Sequence, residues 1–346
     1  MVALKPITVD NSDQIAEIAQ IEKPTAKLMW LSDGSKLIVD SYDEICSYDI
    51  GTLQLKQKKL WTRLKRKSKP EPYAFAPPHQ IQWPDKKEVS HFACNTDMQI
   101  TAVCYQTDKH HIHIYDSRTR TKLTVLEQET NFGQFAMNPD GSSLIVKESQ
   151  KGYLWNLKTG ERPIELPYFG KVAFTSDGRK LAAVANGKLY VLNPHTGAMR
   201  FVLNYKRLRV MGLAFSPDGH TVAACGISSP IMYPPKGDAP VRLWDTETGN
   251  ETKLSGKCDF EAWSLAFSPD GSLLVAGKGD AWSHYNPIQT WDAKRATPLK
   301  SIRDYKDNYP GPTNPVTQLS FDPQGRILAS QSKVIQLWGI VDAPST

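Results

Sequence analysis

At 346 residues the chain is long enough for two ordinary domains, and it carries a formal net charge of +6 and five cysteines. No stretch approaches the ~20 apolar residues of a membrane-spanning helix, and Met1–Pro6 lacks the apolar run of a secretory leader, so a soluble chain is expected. Cys46, Cys94, Cys104, Cys225 and Cys258 are odd in number and contain no CxxC pair, which argues against a disulfide framework or a zinc site and for reduced core thiols in a cytoplasmic protein.

One phrase recurs along the chain. It begins as WLSDG (Trp30–Gly34) and continues as CNTDM (Cys94–Met98), MNPDG (Met137–Gly141) and FTSDG (Phe174–Gly178). It is strongest as LAFSPDG at Leu213–Gly219 and again at Leu265–Gly271, and it ends as FDPQG (Phe321–Gly325). The spacing, roughly 40 to 60 residues, is near that of a four-stranded propeller blade. Each copy lies between short apolar runs such as Met211–Phe215 and Thr221–Cys225, which suit strands better than helices. The phrase is therefore a hairpin turn. Pro217 presets φ, Asp218 accepts from neighbouring backbone N–H groups, and Gly219 takes the left-handed conformation that lets the next strand begin.

A second landmark follows most turns: Tyr48-Asp49, Tyr115-Asp116, Trp155-Asn156, Trp244-Asp245 and Trp291-Asp292, then a short turn such as Thr246–Gly249 or Lys158–Gly160. Each repeat then reads as inner strand, aspartate turn, second strand, third strand ending in aromatic-Asp, glycine turn and outer strand. With these motifs on the page, nearly the whole chain resembles a WD40-type β-propeller, the Trp-Asp pair being intact in the fifth and sixth repeats. The resemblance implies an all-β fold of seven four-stranded antiparallel blades. Approximate boundaries are 26–60, 88–127, 132–166, 169–203, 210–254, 261–302 and 316–338, in one domain spanning 1–346. The family's Gly-His pair is missing from every repeat, so its Asp-His-Ser/Thr-Trp hydrogen-bond relay is not assembled in the usual way and apolar packing between sheets must hold the blades.

The last repeat runs out of chain for an outer strand after Ile335–Gly339. Residues 15–21 (IAEIAQI) stand where such a strand would precede the first inner strand, Lys27–Leu31, and are expected to close the ring, although the segment also has helical propensity.

In such blades the inner-to-second and third-to-outer turns share one rim, and the remaining connections share the other. Four connections are long: 56–87, read as a basic insertion between blades 1 and 2, then 227–240, 278–287 and 303–315, and all four are expected on the second rim. They carry Tyr233, Trp282, His284, Tyr285, Tyr305 and Tyr309, candidate contacts for a partner protein or peptide, with mutual packing over the channel as the structural alternative. Lys56, Lys58, Lys59, Arg63, Lys65, Arg66, Lys67 and Lys69 concentrate the basic charge, leaving the remainder of the chain slightly acidic. This segment fits nucleic-acid phosphates, an anionic membrane (with Leu60, Trp61 and Leu64 as the apolar side), or a nuclear address at Lys65–Lys69 in a eukaryotic host. A solvated loop is the bland alternative.

Catalytic chemistry is not legible. His110, His111 and His113 invite a metal reading, but in a strand His111 and His113 face one side, while His110 is placed in the connection before the strand. Asp245 and Glu247 fall in repeated turns. There is no phosphate loop, nucleophile elbow or HExxH motif, so no cofactor and no metal are expected. The expected function is a non-catalytic protein-interaction scaffold, with nucleic-acid or anionic-surface binding through 56–69 as the alternative and a propeller enzyme with a channel-mouth site as the further one. Oligomeric state is not encoded legibly.

Overall fold

A computed structural model describes residues 4–21, 27–41, 44–53, 79–80, 89–127, 134–147, 151–160, 164–167, 169–185, 187–204, 209–227, 241–255, 261–279, 288–299, 301–302, 315–332 and 334–341. Their strands form seven antiparallel sheets, six of four strands and one of five. Blade 1 comprises Lys27–Trp30, Lys36–Ser41, Glu44–Asp49 and His79–Gln80, and blade 2 comprises Val89–Cys94, Ile100–Tyr105, Asp108–Asp116 and Thr121–Glu127. Blade 3 is Phe135–Met137, Ser143–Lys147, Lys151–Asn156 and Ile164–Pro167, and blade 4 is Val172–Phe174, Leu181–Ala185, Lys188–Leu192 and Met199–Asn204. Blade 5 is Arg209–Phe215, Thr221–Ile227, Val241–Asp245 and Glu251–Thr252; blade 6 is Ala262–Phe267, Leu273–Lys278, Ile288–Asp292 and Thr297–Pro298. Gln318–Phe321, Ile327–Gln331 and Ile335–Val341 supply the first three strands of blade 7.

All seven sequence phrases are hairpin turns with one hydrogen-bond pattern. In the strongest copy Ser216 N donates to Thr221 O at 2.9 Å and Gly219 N to Ser216 O at 2.8 Å, and in the last copy Asp322 N donates to Ile327 O at 2.8 Å and Gly325 N to Asp322 O at 2.9 Å. Asp218 Oδ1 accepts from His220 N at 3.0 Å and from the Ser216 hydroxyl at 2.5 Å. The landmark aspartates act alike at the other turn of the blade: Asp245 accepts from Glu247 N and Thr248 N, and Asp292 from Lys294 N and Arg295 N. These acids are therefore structural, because their lone pairs fasten backbone N–H groups that the turns leave over.

The apolar cores lie between blades. Ile38, Ile45, Phe92 and Cys94 join blades 1 and 2, while Leu189, Val191, Val222 and Trp244 join blades 4 and 5. Leu28, Val39, Ile327 and Leu337 join blade 7 back to blade 1. Gln318 completes that seam with its amide, its Oε1 accepting from Leu28 N at 2.9 Å and its Nε2 donating to Leu28 O at 2.8 Å. Trp30 Nε1 donates to Ser320 O at 3.2 Å beside it. The four described cysteines, Cys46, Cys94, Cys104 and Cys225, are free and buried; Cys258 lies outside the described residues.

The N-terminal segment closes the ring as a strand. Ala16–Ile21 pairs antiparallel with the third strand of blade 7, from Ala16 opposite Gly339 to Ile21 opposite Ile335. Leu4 and Lys5 then pair with Val341 and Ile340, and a short 3-10 helix, Val9–Gln14, joins the two N-terminal pieces. Tertiary burial decides against the helix that IAEIAQI also favours. Ile18 and Ala19 enter the core between blades 7 and 1, a gain that an isolated short helix does not offer.

Two expectations need correction. His79–Gln80 pairs with Cys46 and Ser47 as the outer strand of blade 1, so that blade does not end at residue 60 and 56–87 is not an inter-blade insertion. Residues 54–78, which hold the whole basic run, join the third strand to the outer strand and so attach to the rim of the aspartate turns. The long connections are therefore divided between rims. Second, His110 lies within Asp108–Asp116, because that hairpin turns tightly at Gln106 and Thr107. The polar relay is not assembled in the usual way, as expected, and its Trp–Ser link is present in blade 7, where Trp338 Nε1 donates to Ser330 Oγ at 2.7 Å.

Ile18 tests the closure. It is 2% exposed, and Ile18→Ala is expected to cost about 2–5 kcal/mol, read as a lower urea midpoint at unchanged slope. A surface-like loss below about 0.5 kcal/mol would contradict a buried closing strand.

Candidate functional site

Strand direction fixes where each proposed contact attaches. Tyr233 falls in 228–240, between the second and third strands of blade 5. Trp282, His284 and Tyr285 fall in 280–287 of blade 6, and Tyr305 and Tyr309 fall in 303–314, ahead of blade 7. All six aromatic or imidazole residues lie outside the described residues, as do Lys56, Lys58, Lys59, Arg63, Lys65, Arg66, Lys67 and Lys69. The described strand ends that flank the three carrying segments lie at one rim, opposite the aspartate turns, and those that flank the basic run, Leu53 and His79, lie at the other.

The floor of that first rim is built from the beginnings of inner strands and the ends of second strands. In blade 1 Lys27 pairs with Asp40, and Lys27 Nζ donates to Phe92 O at 3.4 Å while standing 5.7 Å from the centre of the Phe92 ring. Burial pushes the Lys27 ammonium below its ordinary pKa, against the pull of Cys94 and Asp40. The same burial pushes the Asp40 carboxyl up to about 6, with Lys27 opposing it. His91 in blade 2 is held down by burial first and then by the charges of Lys109 and Lys27.

A second cationic group spans blades 3 to 5. Lys171 directly precedes the inner strand of blade 4, its backbone pinned by Val184 N donating to Lys171 O at 3.0 Å. Arg209 opens the adjoining inner strand of blade 5, and Lys147 ends the second strand of blade 3. Burial lowers the Lys171 pKa; the Cys225 thiol opposes that shift, and the charges of Lys147 and Arg209 lower it further. Lys171 and Arg209 are solvent-exposed and, among the described residues, neither makes an ion pair. None of these cations stood out in the sequence, although Lys27 and Lys171 stand at the same offset before Asp33 and Asp177, a periodic signal visible once the repeats are aligned on their turns.

The histidine cluster of blade 2 is an acid–imidazole group. His111 Nδ1 lies 2.5 Å from Asp108 Oδ1, His113 Nε2 lies 3.5 Å from Asp108 Oδ2, and His111 Nε2 lies 3.6 Å from Glu127 Oε1. The hydrogen bond to Asp108 raises the His111 pKa, and the same bond is the largest influence lowering that of Asp108. Among the described residues no group of three or more His, Cys, Asp or Glu side chains has the geometry to hold a metal ion. Nor is any described helix long and apolar enough to cross a membrane.

Asp40 gives a pH test. Its folded pKa, about 6, lies above the ~3.9 of an unfolded aspartate, so the folded state binds the proton more tightly. The stabilising contribution is complete below pH ~4 and is lost as pH rises toward about 6. In thermal melts between pH 4 and 7, wild type should lose stability relative to Asp40→Asn across that window; parallel curves would refute the assignment.

Comparison with known proteins agrees with this architecture. A family model described as "WD domain, G-beta repeat" matches residues 250–282 and 303–339. The first match starts at the outer strand of blade 5 and ends beyond the second strand of blade 6, so a repeat in sequence straddles two blades in space. An "Uncharacterized WD repeat-containing protein sll1491" of Synechocystis is 29% identical over 109 residues, covering 32% of this chain and 29% of that protein. "WD repeat-containing protein SL1-17" of Schistosoma mansoni is 26% identical over 167 residues, covering 39% of this chain and 52% of that protein. "Meiotic fizzy-related protein 2" of Schizosaccharomyces pombe is 24% identical over 183 residues, covering 50% and 31%. The matches thus span from under a third to about half of the relatives' lengths. With seven blades, the repeated aspartate turn and the matched repeats in hand, the chain is a seven-bladed β-propeller that carries WD40-type repeats at 250–282 and 303–339.

Proposed function

We propose that this chain is a non-catalytic scaffold, a single propeller domain that works in the cytoplasm and presents one rim to a partner protein or peptide. The observation that supports the reading is that the described strand ends flanking 228–240, 280–287 and 303–314 share one rim, while the aspartate turns opposite are short in every blade. On that rim Tyr233, Trp282, His284, Tyr285, Tyr305 and Tyr309 act as contacts, since aromatic side chains remove much area from water at small entropic cost. The non-catalytic part of the proposal is supported by the use of the turn acids as backbone acceptors and by the family, whose members serve mostly in interactions. With Trp282→Ala/Tyr285→Ala, a partner recovered by affinity purification should be captured at least about tenfold less well, with the melting temperature unchanged. Unfolding of the variant would make both residues core and remove them from the interface.

A second reading is favoured by the attachment of 54–78 to the opposite rim. There the eight cations bind nucleic acid or another anionic surface without competing with the first partner. Replacing them with Gln should abolish a steeply salt-dependent affinity for DNA, RNA or acidic vesicles. No binding by the intact chain at low salt would exclude this role.

A further inference from the structure

We infer that the channel mouth where blades 3, 4 and 5 meet is an anion-binding site, formed by Lys171 and Arg209 with Lys147 beside them, and that its ligand is an acidic segment of a partner chain. The inference rests on the proposal that this rim docks a partner, and it supplies the chemistry of that partner.

Three observations converge. The inner strands of blades 4 and 5 are neighbours around the channel, and both cations stand at their beginnings on the rim opposite the aspartate turns, Lys171 across from Val184 and Arg209 further out across from Ile227. Neither is neutralised: among the described residues they make no ion pair, whereas Lys180 on the opposite rim is held by Glu247 at 2.7 Å and Lys151 at the side by Glu165 at 2.9 Å. Lys171 also feels Lys147 and Arg209 as repulsive charges and is desolvated while remaining open to solvent. Like charges gathered at neighbouring strand ends repel one another, and an anion bound between them relieves that repulsion while gaining charge-assisted hydrogen bonds.

The ligand chemistry follows from the spacing of the cations. Spread over three consecutive blades, they suit several carboxylates or phosphoryl groups along an extended chain better than one small ion. Arg209 offers a fork of donors that matches either oxyanion in bidentate fashion, and Lys171 and Lys147 act as point charges. Both sources share this chemistry, acidic side chains and phosphorylated ones.

The test uses the full chain and two fluorescent probes, an octaglutamate peptide and a peptide with two phosphoserines in a neutral background, followed by anisotropy at low and high salt. Wild type should bind at least one of them, more weakly as salt rises. Lys171→Glu and Arg209→Glu should each weaken binding about tenfold or more. Lys171→Gln should have a smaller effect and Lys171→Arg should restore binding. Because both positions are exposed, unchanged melting temperatures are expected, and Lys171→Gln keeps the test valid if a charge reversal unfolds the chain. The ratio between the probes identifies carboxylate or phosphate as the preferred group. A variant with the 56–69 cations replaced by Gln should retain the Lys171-dependent binding. The inference is overturned if neither probe binds, if Lys171 and Arg209 variants bind as wild type does, or if binding disappears only with the 56–69 charges. Should it be overturned while Trp282→Ala/Tyr285→Ala still abolishes capture of a natural partner, the docking role of the rim stands and only its anionic chemistry falls.

Discussion

Every blade here has two apolar faces, and neither can be left to water. A sheet such as Leu273–Lys278 between its neighbours sends Leu273 and Val275 into the core shared with blade 7 and Leu274 and Ala276 into the core shared with blade 5. A linear stack of such sheets would always end in an exposed face, so the fold depends on the last sheet meeting the first. That meeting is reinforced from three directions: apolar packing from Leu28 to Leu337, the Gln318 amide bonded to both polar groups of the Leu28 backbone, and the N-terminal strand on the edge of blade 7. The closing strand also covalently joins blade 7 to the start of blade 1, and residues far apart in sequence thereby fix one another.

Closure divides polar chemistry between the rims. The aspartate-turn rim uses its acids internally: Asp218, Asp245, Asp270 and Asp292 accept backbone N–H groups, and those bonds help hold their carboxyls below the ordinary range. Among the described residues, Lys180 is likewise engaged. Lys180 Nζ reaches across from blade 4 to Gly219 O and Thr246 Oγ1 as well as to Glu247, which Arg200 also contacts. These described charges serve the seam between blades 4 and 5. At the opposite mouth burial acts on Lys27, His91 and Lys171, and like charge acts on His91 and Lys171.

The sequence carried most of this architecture in one device, the turn, because a hairpin is local and its Pro, Asp and Gly each answer to a backbone requirement. Blade number and ring closure were legible for that reason. The phrase is weakest where the geometry persists without its usual residue: Met98 adopts φ 52 where the other copies have glycine, as Arg120 and Ala296 do at third-to-outer turns. Such positions cost roughly 1–2 kcal/mol in local strain, tolerated because the surrounding sheet fixes the turn. The outer strand of blade 1 was missed for a different reason. His79–Gln80 is two residues long, too short to show alternation, and it follows a long basic connection that reads as the end of the blade. The cation group of Lys147, Lys171 and Arg209 was invisible because it is assembled from three blades, and no local pattern records which side chains meet across a channel. The aromatic contacts were legible only as composition in long connections.

A closed ring also decides how two binding surfaces relate. Each seam is close-packed, so a blade cannot tilt without opening a core on both sides, and the seams resist shear between the rims. Occupation of the long-loop rim then leaves the attachment points of 54–78, Leu53 and His79 on blade 1, where they were. Two ligands on opposite rims bind independently unless they touch each other, because coupling requires a differential effect on two populated states and a rigid annulus offers one. In the proposed reading, an acidic segment at the channel mouth and an anionic surface on the basic run would not compete for the same cations. That reading depends on the basic run attaching to the rim opposite the aromatic connections, which the sequence had merged onto one face.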